Sequence, residues 1–161
     1  YSLSRRMIDK VDKRIAHKKR KDSKVAKATV RSKCLTALQL LVRVEAADDS
    51  GYCECVTCGK VAMWNDGMQG GHFIPKGSCS YWSLEKENVH PQCQGCNGYG
   101  MKHGDAAHRY TLWMQDYYGA DYVEEMLSKT KAIKKISAQD YRDMLTDLNT
   151  QIKGHKARIG A

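Results

Sequence analysis

From residue 2 to residue 47 the apolar positions follow a helical period, but unevenly. Met7, Ile8, Val11 and Ile15 form a thin apolar stripe. A very polar middle follows, and then Leu35, Leu38, Leu41, Val42 and Val44 make a fuller amphipathic face. The pattern predicts a helix over 2–47, with residues 21–23 as the place where it would break. Turn residues at 48–52, "DDSGY", end it. The first half has too little apolar surface to bury itself, so it packs on a partner, covers a polyanion or frays.

Residues 52–104 keep no long 3.6-residue period. Ten of the 13 glycines lie at 51–104, with both prolines and six of the seven cysteines. This reads as a loop-rich segment of short strands without the apolar mass for a core of its own. In "GGHFIPKG", residues 70–77, the glycines give backbone freedom and Phe73 and Ile74 read as a short strand behind His72. Helical spacing returns over 105–127, with Tyr110, Trp113, Met114 and Tyr117 on one face. A helix end falls at Gly119 and a new start at Asp121, read as an N-cap. The last helix spans 137–152, opened by a capping box from Ser137 to Asp140 and facing the core with Tyr141, Met144, Leu145 and Leu148. The fold class expected is α+β and mainly helical. A basic helical arm (1–50) and a helical region (105–161) flank a small metal-held module (51–104).

Charge sharpens the reading of the arm. The net charge is +9, yet residues 1–33 hold 13 Lys and Arg against three Asp, a net of +10. The other 128 residues hold 14 basic and 15 acidic side chains, a net of −1. Such a concentration is the footprint of a nucleic-acid binder, because each cation placed on a phosphate releases counterions. The plainer alternative is a solvated charged helix. No run approaches the roughly 20 apolar residues of a membrane helix, and the first residues carry no signal-peptide core. No membrane partner is therefore expected.

Seven cysteines, an odd number without a secretory leader, argue against a disulfide framework and for a reducing compartment. Cys55-x2-Cys58 and Cys93-x2-Cys96 are two pairs separated by 34 residues. Four thiolates satisfy a tetrahedral, structural Zn²⁺ and leave no open position on it. Metal binding of this kind contributes roughly 10 kcal/mol or more to folding, which is what a glycine-rich segment lacks. Cys53 has poorer knuckle spacing; Cys34 and Cys79 read as small buried hydrophobes or free thiols. The zinc would tie the two ends of a loop containing His72, so that histidine is held in place.

His72, then Asn88, then Asn97 directly after the last knuckle cysteine, resemble the HNH or ββα-metal nucleases. The order "CVTCGK", "GGHFIPKG", "ENVHPQCQGCN" and "HRYTLWMQDYYGADYVEEML" is similar to that of the phage NinG/Rap recombination proteins. The resemblance covers most of the chain and is most specific over 55–118. It implies a zinc-stabilised HNH module that hydrolyses phosphodiesters in phage recombination on branched DNA such as a Holliday junction. By the same resemblance the protein works in the cytoplasm of the host cell. His72 would be the general base and Asn97 a ligand of a catalytic Mg²⁺ or Mn²⁺. Asn88 would brace the hairpin or orient the His72 ring, or be only a turn residue. Many such sites carry an acid immediately before the histidine; here that residue is Gly71, with Gln69 and Asp66 as nearby substitutes.

His90 is expected to contact DNA phosphate, back up the metal or lie on the surface. Lys76, Lys102 and Arg109 are candidate phosphate contacts, and His103 a structural or DNA-contacting residue. Tyr81 and Trp82 read as core. Symmetric cutting of two strands needs two sites and predicts a homodimer. The alternative function is a non-catalytic zinc-containing DNA-binding accessory protein, and a third is a structural protein whose arm binds an acidic partner.

Overall fold

The first predicted helix is one uninterrupted rod. The computed structural model describes residues 2–161, and α1 runs Ser2–Ala46 without a break at 21–23. No glycine or proline occurs in that stretch, and its lysines, arginines and alanines are good helix formers, so a polar sequence alone does not interrupt it. Its two halves differ in surroundings. Side chains 7–29 are all exposed. Beyond them Cys34, Leu35, Leu38, Leu41 and Val42 enter a core with Tyr141, Leu148 and Ile152 of α5.

Helix α5, Ala138–Arg158, opens on the expected capping box. The Asp140 amide donates to Ser137 Oγ at 3.0 Å, and the Ser137 amide donates to Asp140 Oδ2 at 3.0 Å. The helix continues past the expected end at Ile152. Near its end Arg158 donates to the carbonyls of Val44 and Ala47, at 3.2 and 2.6 Å, and so fastens α5 to the end of α1.

Between the helices lie two antiparallel strand pairs. β1 (Tyr52–Glu54) pairs with β2 (Val61–Met63). β3 (Met68–His72) pairs with β4 (Val89–Cys93), in a register that sets Met68 opposite Cys93 and His72 opposite Val89. Alternation gives this second pair two faces. Val89 belongs to the α1 core. Gly71 and His90, on the opposite face, meet Tyr110 of α3 (Ala106–Tyr118). A π-helical turn, Cys96–Gly100, leads from β4 through α2 (Met101–His103) into α3. Gly119, at φ +91°, ends α3, and α4 (Ala120–Ser128) begins at once. Gly119 itself is the N-cap, and Asp121 sits in the first turn.

Phe73 and Ile74 lie just outside the strand that sequence placed over them. β3 ends at His72, and both side chains drop into a second core with Trp82, Tyr110, Met114, Val123 and Met126. The paired glycines also have a different reason from the expected one. Neither Gly70 nor Gly71 has a positive φ; they are needed for close approach. A Cβ on Gly70 would lie 2.6 Å from Gln39 Cα, and one on Gly71 would lie 1.8 Å from Gln92 Oε1. Helix α1 and the Gln92 side chain therefore press on β3 immediately before His72.

Candidate active site and metal centre

The two Cys-x2-Cys pairs converge. The sulfurs of Cys55, Cys58, Cys93 and Cys96 all lie within 4.8 Å of one another. The first pair sits on a knuckle closed by the Gly59 amide on Cys55 O, at 2.9 Å, with Gly59 at φ +74°. The second pair is carried by the end of β4 and the start of the π-helical turn. The Val56 amide on Pro91 O, 3.0 Å, stitches the knuckle to β4. Tetrahedral zinc, with Zn–S near 2.3 Å, sets its sulfurs about 3.8 Å apart; Cys58 and Cys93 are 3.8 Å apart. Four soft donors at that spacing fit a structural zinc. Cys34 and Cys79 are buried elsewhere, and Cys53 packs in the same small core as Cys55 and Cys93 without joining the sulfur cluster.

His72 closes β3 with its ring against the 3₁₀ turn Trp82–Leu84. Nε2 is 3.0 Å from the Ser83 carbonyl. A carbonyl only accepts, so Nε2 carries the proton and Nδ1 keeps a free lone pair. Arg31 of α1 reaches the same turn, donating to Ser83 Oγ at 3.2 Å. Burial pushes the His72 pKa below its ordinary 6.5, the Ser83 bond opposes this, and the cations Lys76 and Arg31 push it down further. The ring is neutral at pH 7, with an unprotonated nitrogen and two positive charges nearby. That is the state a general base on a phosphodiester requires.

Asn88 is fully buried at the end of the turn Lys86–Asn88. Its Oδ1 accepts from the Ile74 amide at 2.7 Å. Its Nδ2 donates to Ile74 O at 2.9 Å and Trp82 O at 3.0 Å. It staples both ends of the loop that leaves His72 and returns to β4; no bond joins it to the His72 ring. Asn97 is half-buried on the π-helical turn. Its Nδ2 donates to Gln69 Oε1 at 2.7 Å, which leaves its Oδ1 an open acceptor among the described residues. Asn97, Gln69 and Gly70 line a groove of about 240 Å³ together with Gln39 and Arg43 of α1.

His90 is enclosed rather than presented to solvent, with 9% of its surface exposed. The Tyr110 hydroxyl donates to Gly71 O at 3.1 Å and is 2.8 Å from His90 Nδ1. Having given its proton to the carbonyl, that hydroxyl accepts from Nδ1–H. Nε2 then accepts from the Tyr118 hydroxyl at 3.0 Å. A one-way chain thus runs from Tyr118 through His90 and Tyr110 to the carbonyl preceding His72. Burial, and then the Lys86 charge, push the His90 pKa down to about 4. The phosphate contact expected at His90 is not available from that position. Lys76 and Lys102 are exposed, whereas Arg109, also exposed, is paired with Asp105 at 2.6 Å.

A family model described as bacteriophage lambda NinG protein matches residues 2–157. The chain belongs to the NinG family. No curated protein and no solved structure gives a significant match. Among the described residues, no helix of this NinG-family chain is long and apolar enough to cross a membrane.

A divalent cation is a different matter from zinc in this NinG-family site. Asn97 Oδ1 is a hard oxygen of the right kind, but the groove around it contains amides, Arg43 and no carboxylate. The donor set fits Mg²⁺ or Mn²⁺ only when a DNA phosphate supplies the negative charge. Sequence reading missed several residues here. Ser83 acts through its carbonyl, which leaves no trace in side-chain identity. Arg31 was counted with the arm's charge, and Tyr110 and Tyr118 were read only as part of a helix segment.

Proposed function

We propose that this NinG-family protein is a divalent-cation-dependent DNA endonuclease that acts in phage recombination on branched DNA, with His72 as its general base. The observation that carries the reading is the Nε2 contact of His72 with Ser83 O, which fixes the tautomer and leaves Nδ1 an unprotonated acceptor with no partner among the described residues. In the proposed reaction Nδ1 takes a proton from water, the water oxygen bonds to phosphorus, and the P–O bond on the far side breaks. The leaving oxygen then takes a proton from solvent. Asn97, through Oδ1, would hold the divalent ion, which when bound would supply charge stabilisation for the phosphoryl group and the leaving oxygen. Asn88 keeps the loop closed behind His72, Gln69 aims the Asn97 amide, and Lys76 and Lys102 are placed to meet phosphates. Two symmetric cuts call for a homodimer, which the molar mass in solution tests.

The test compares supercoiled and four-way-junction DNA with and without added Mg²⁺ or Mn²⁺. Omission of the ion is the control, because a chelator would also strip the cysteine site. His72→Ala should lower the cleavage rate by about 10² to 10⁴ with zinc content and DNA affinity unchanged. Cleavage at the wild-type rate by His72→Ala would remove the mechanism. A second reading, a non-catalytic zinc-containing DNA-binding accessory, draws support from Gly71. The space where a residue at 71 would project an acid is filled by Gln92. That reading becomes the better one if wild-type protein binds branched DNA but does not cut it with either ion.

A further inference from the structure

Tyr99 is 73% exposed on the π-helical turn, two residues beyond Asn97. Exposure by itself marks nothing, since other large side chains of this chain are as open. What distinguishes Tyr99 is its company. The His103 ring lies against it, centroids 4.8 Å apart and planes tilted by 36°. Positions 99, 102 and 103 fall on one face of the turn that runs from Cys96–Gly100 into Met101–His103, so Lys102 stands beside the ring pair. Gly98 completes the patch, and a Cβ there would meet nothing within 4 Å. Asn97, Gly98, Tyr99, Lys102 and His103 together line a depression of about 380 Å³.

These features suit one kind of ligand. A nucleobase is flat, stacks on aromatic rings whatever its identity, and brings a phosphate for a neighbouring cation. A ring braced on one side by His103 is pre-ordered, so stacking on its open side costs little side-chain entropy. A glycine beside it lets a base lie close to the backbone. A base paired within a duplex is already stacked on both faces and cannot use such a platform; one displaced at a branch, bulge or gap can. A helical turn with π geometry is itself a frequent mark of a functional position.

We infer that Tyr99, backed by His103 and flanked by Lys102, is a stacking platform for an unpaired nucleobase next to the scissile position, and that it gives the protein its preference for non-duplex DNA. The inference rests on the DNA-endonuclease reading but needs no cleavage to be tested. The probes are a DNA duplex with one bulged 2-aminopurine and the fully paired duplex of the same sequence, with no divalent cation added. Wild-type protein should bind the bulged DNA more tightly and quench the 2-aminopurine. Tyr99→Ala should lose the quenching and weaken bulge binding by about 5- to 100-fold, with paired-duplex binding and zinc content unchanged. Tyr99→Phe should keep both. Equal bulge binding and quenching in Tyr99→Ala and wild type would overturn the platform and leave the DNA reading standing. No binding of either DNA by the wild type would overturn both.

Discussion

At the scale of single residues, the segment around His72 is shaped by what its neighbours cannot spare. Gly71 has no room for a side chain because Gln92, fully buried, crosses it while its Nε2 donates to Thr57 Oγ1 at 2.6 Å. Among the described residues the Gln92 Oε1 finds no hydrogen-bond partner, so its position reflects packing. Gly71→Ala should therefore cost about 1–3 kcal/mol of stability, read from chemical denaturation. Combined with Gln92→Ala, which vacates the space, the pair should cost clearly less than the sum of the two single changes; simple additivity would show that Gln92 is not the obstacle. His90 offers a second residue-scale test. Its folded pKa of about 4 lies below the ordinary 6.5, so between those values the unfolded chain binds a proton that the folded chain refuses. Stability from this group is full above about pH 6.5 and falls as the pH drops towards 4. Its size is on the order of 3 kcal/mol. Imidazole nitrogen NMR shifts should keep His90 neutral to below pH 5. Protonation near pH 6.5 would mean that the chain from Tyr118 to Gly71 is not formed.

At the scale of elements, legibility in the sequence followed the kind of signal each element carries. The packed half of α1, the capping box of α5 and the helix end at Gly119 could be read because each rests on local chemistry: a period, a cap or a backbone conformation. The cysteine cluster could be read because ligand spacing is nearly a geometric statement. Residue 74 was misplaced because a β-branched residue in a tertiary core looks like one in a strand. His90 was misjudged because burial depends on α3, which arrives from elsewhere in the chain. Ser83, whose backbone fixes the His72 tautomer, could not have been found from side chains at all. The strand pairs also depend on something outside their own packing. β1 and β2 are three residues each, too short to be stable alone, and the sulfurs at their base fit a zinc. Cys93→Ser should lose one equivalent of zinc and, with it, amide-exchange protection across residues 52–104, while α5 and the packed half of α1 stay protected. Full zinc content in Cys93→Ser would break the four-cysteine assignment.

At the scale of the whole molecule, charge and packing are separated along one helix. Residues 1–28 hold 11 Lys and Arg and three Asp, a net of +8 out of the chain's +9, and side chains 7–29 are all exposed. Beyond them Val30 packs against the α1–α5 core, and Arg31 bonds to the turn that carries the His72 partner. The charged arm, proposed to supply DNA affinity, thus ends where the scaffold of the site begins. Removing all of residues 1–33 would mix the two effects, because it would take Val30 and Arg31 with it. Removal of residues 1–28 isolates the electrostatic one. Phosphate binding by such an arm carries no base information, so the truncated protein should bind all DNA sequences more weakly by a similar factor. The slope of log affinity against log salt should flatten by about 0.9 for each duplex phosphate that the arm no longer neutralises. Zinc content should remain as in the full chain and the thermal transition should change little, because side chains 7–28 are exposed and only Lys27, over the Tyr141 ring at 5.8 Å, approaches a core residue among those described. A salt slope unchanged by this truncation would place the phosphate-binding cations on the folded part instead, with Lys76 and Lys102 the first positions to neutralise.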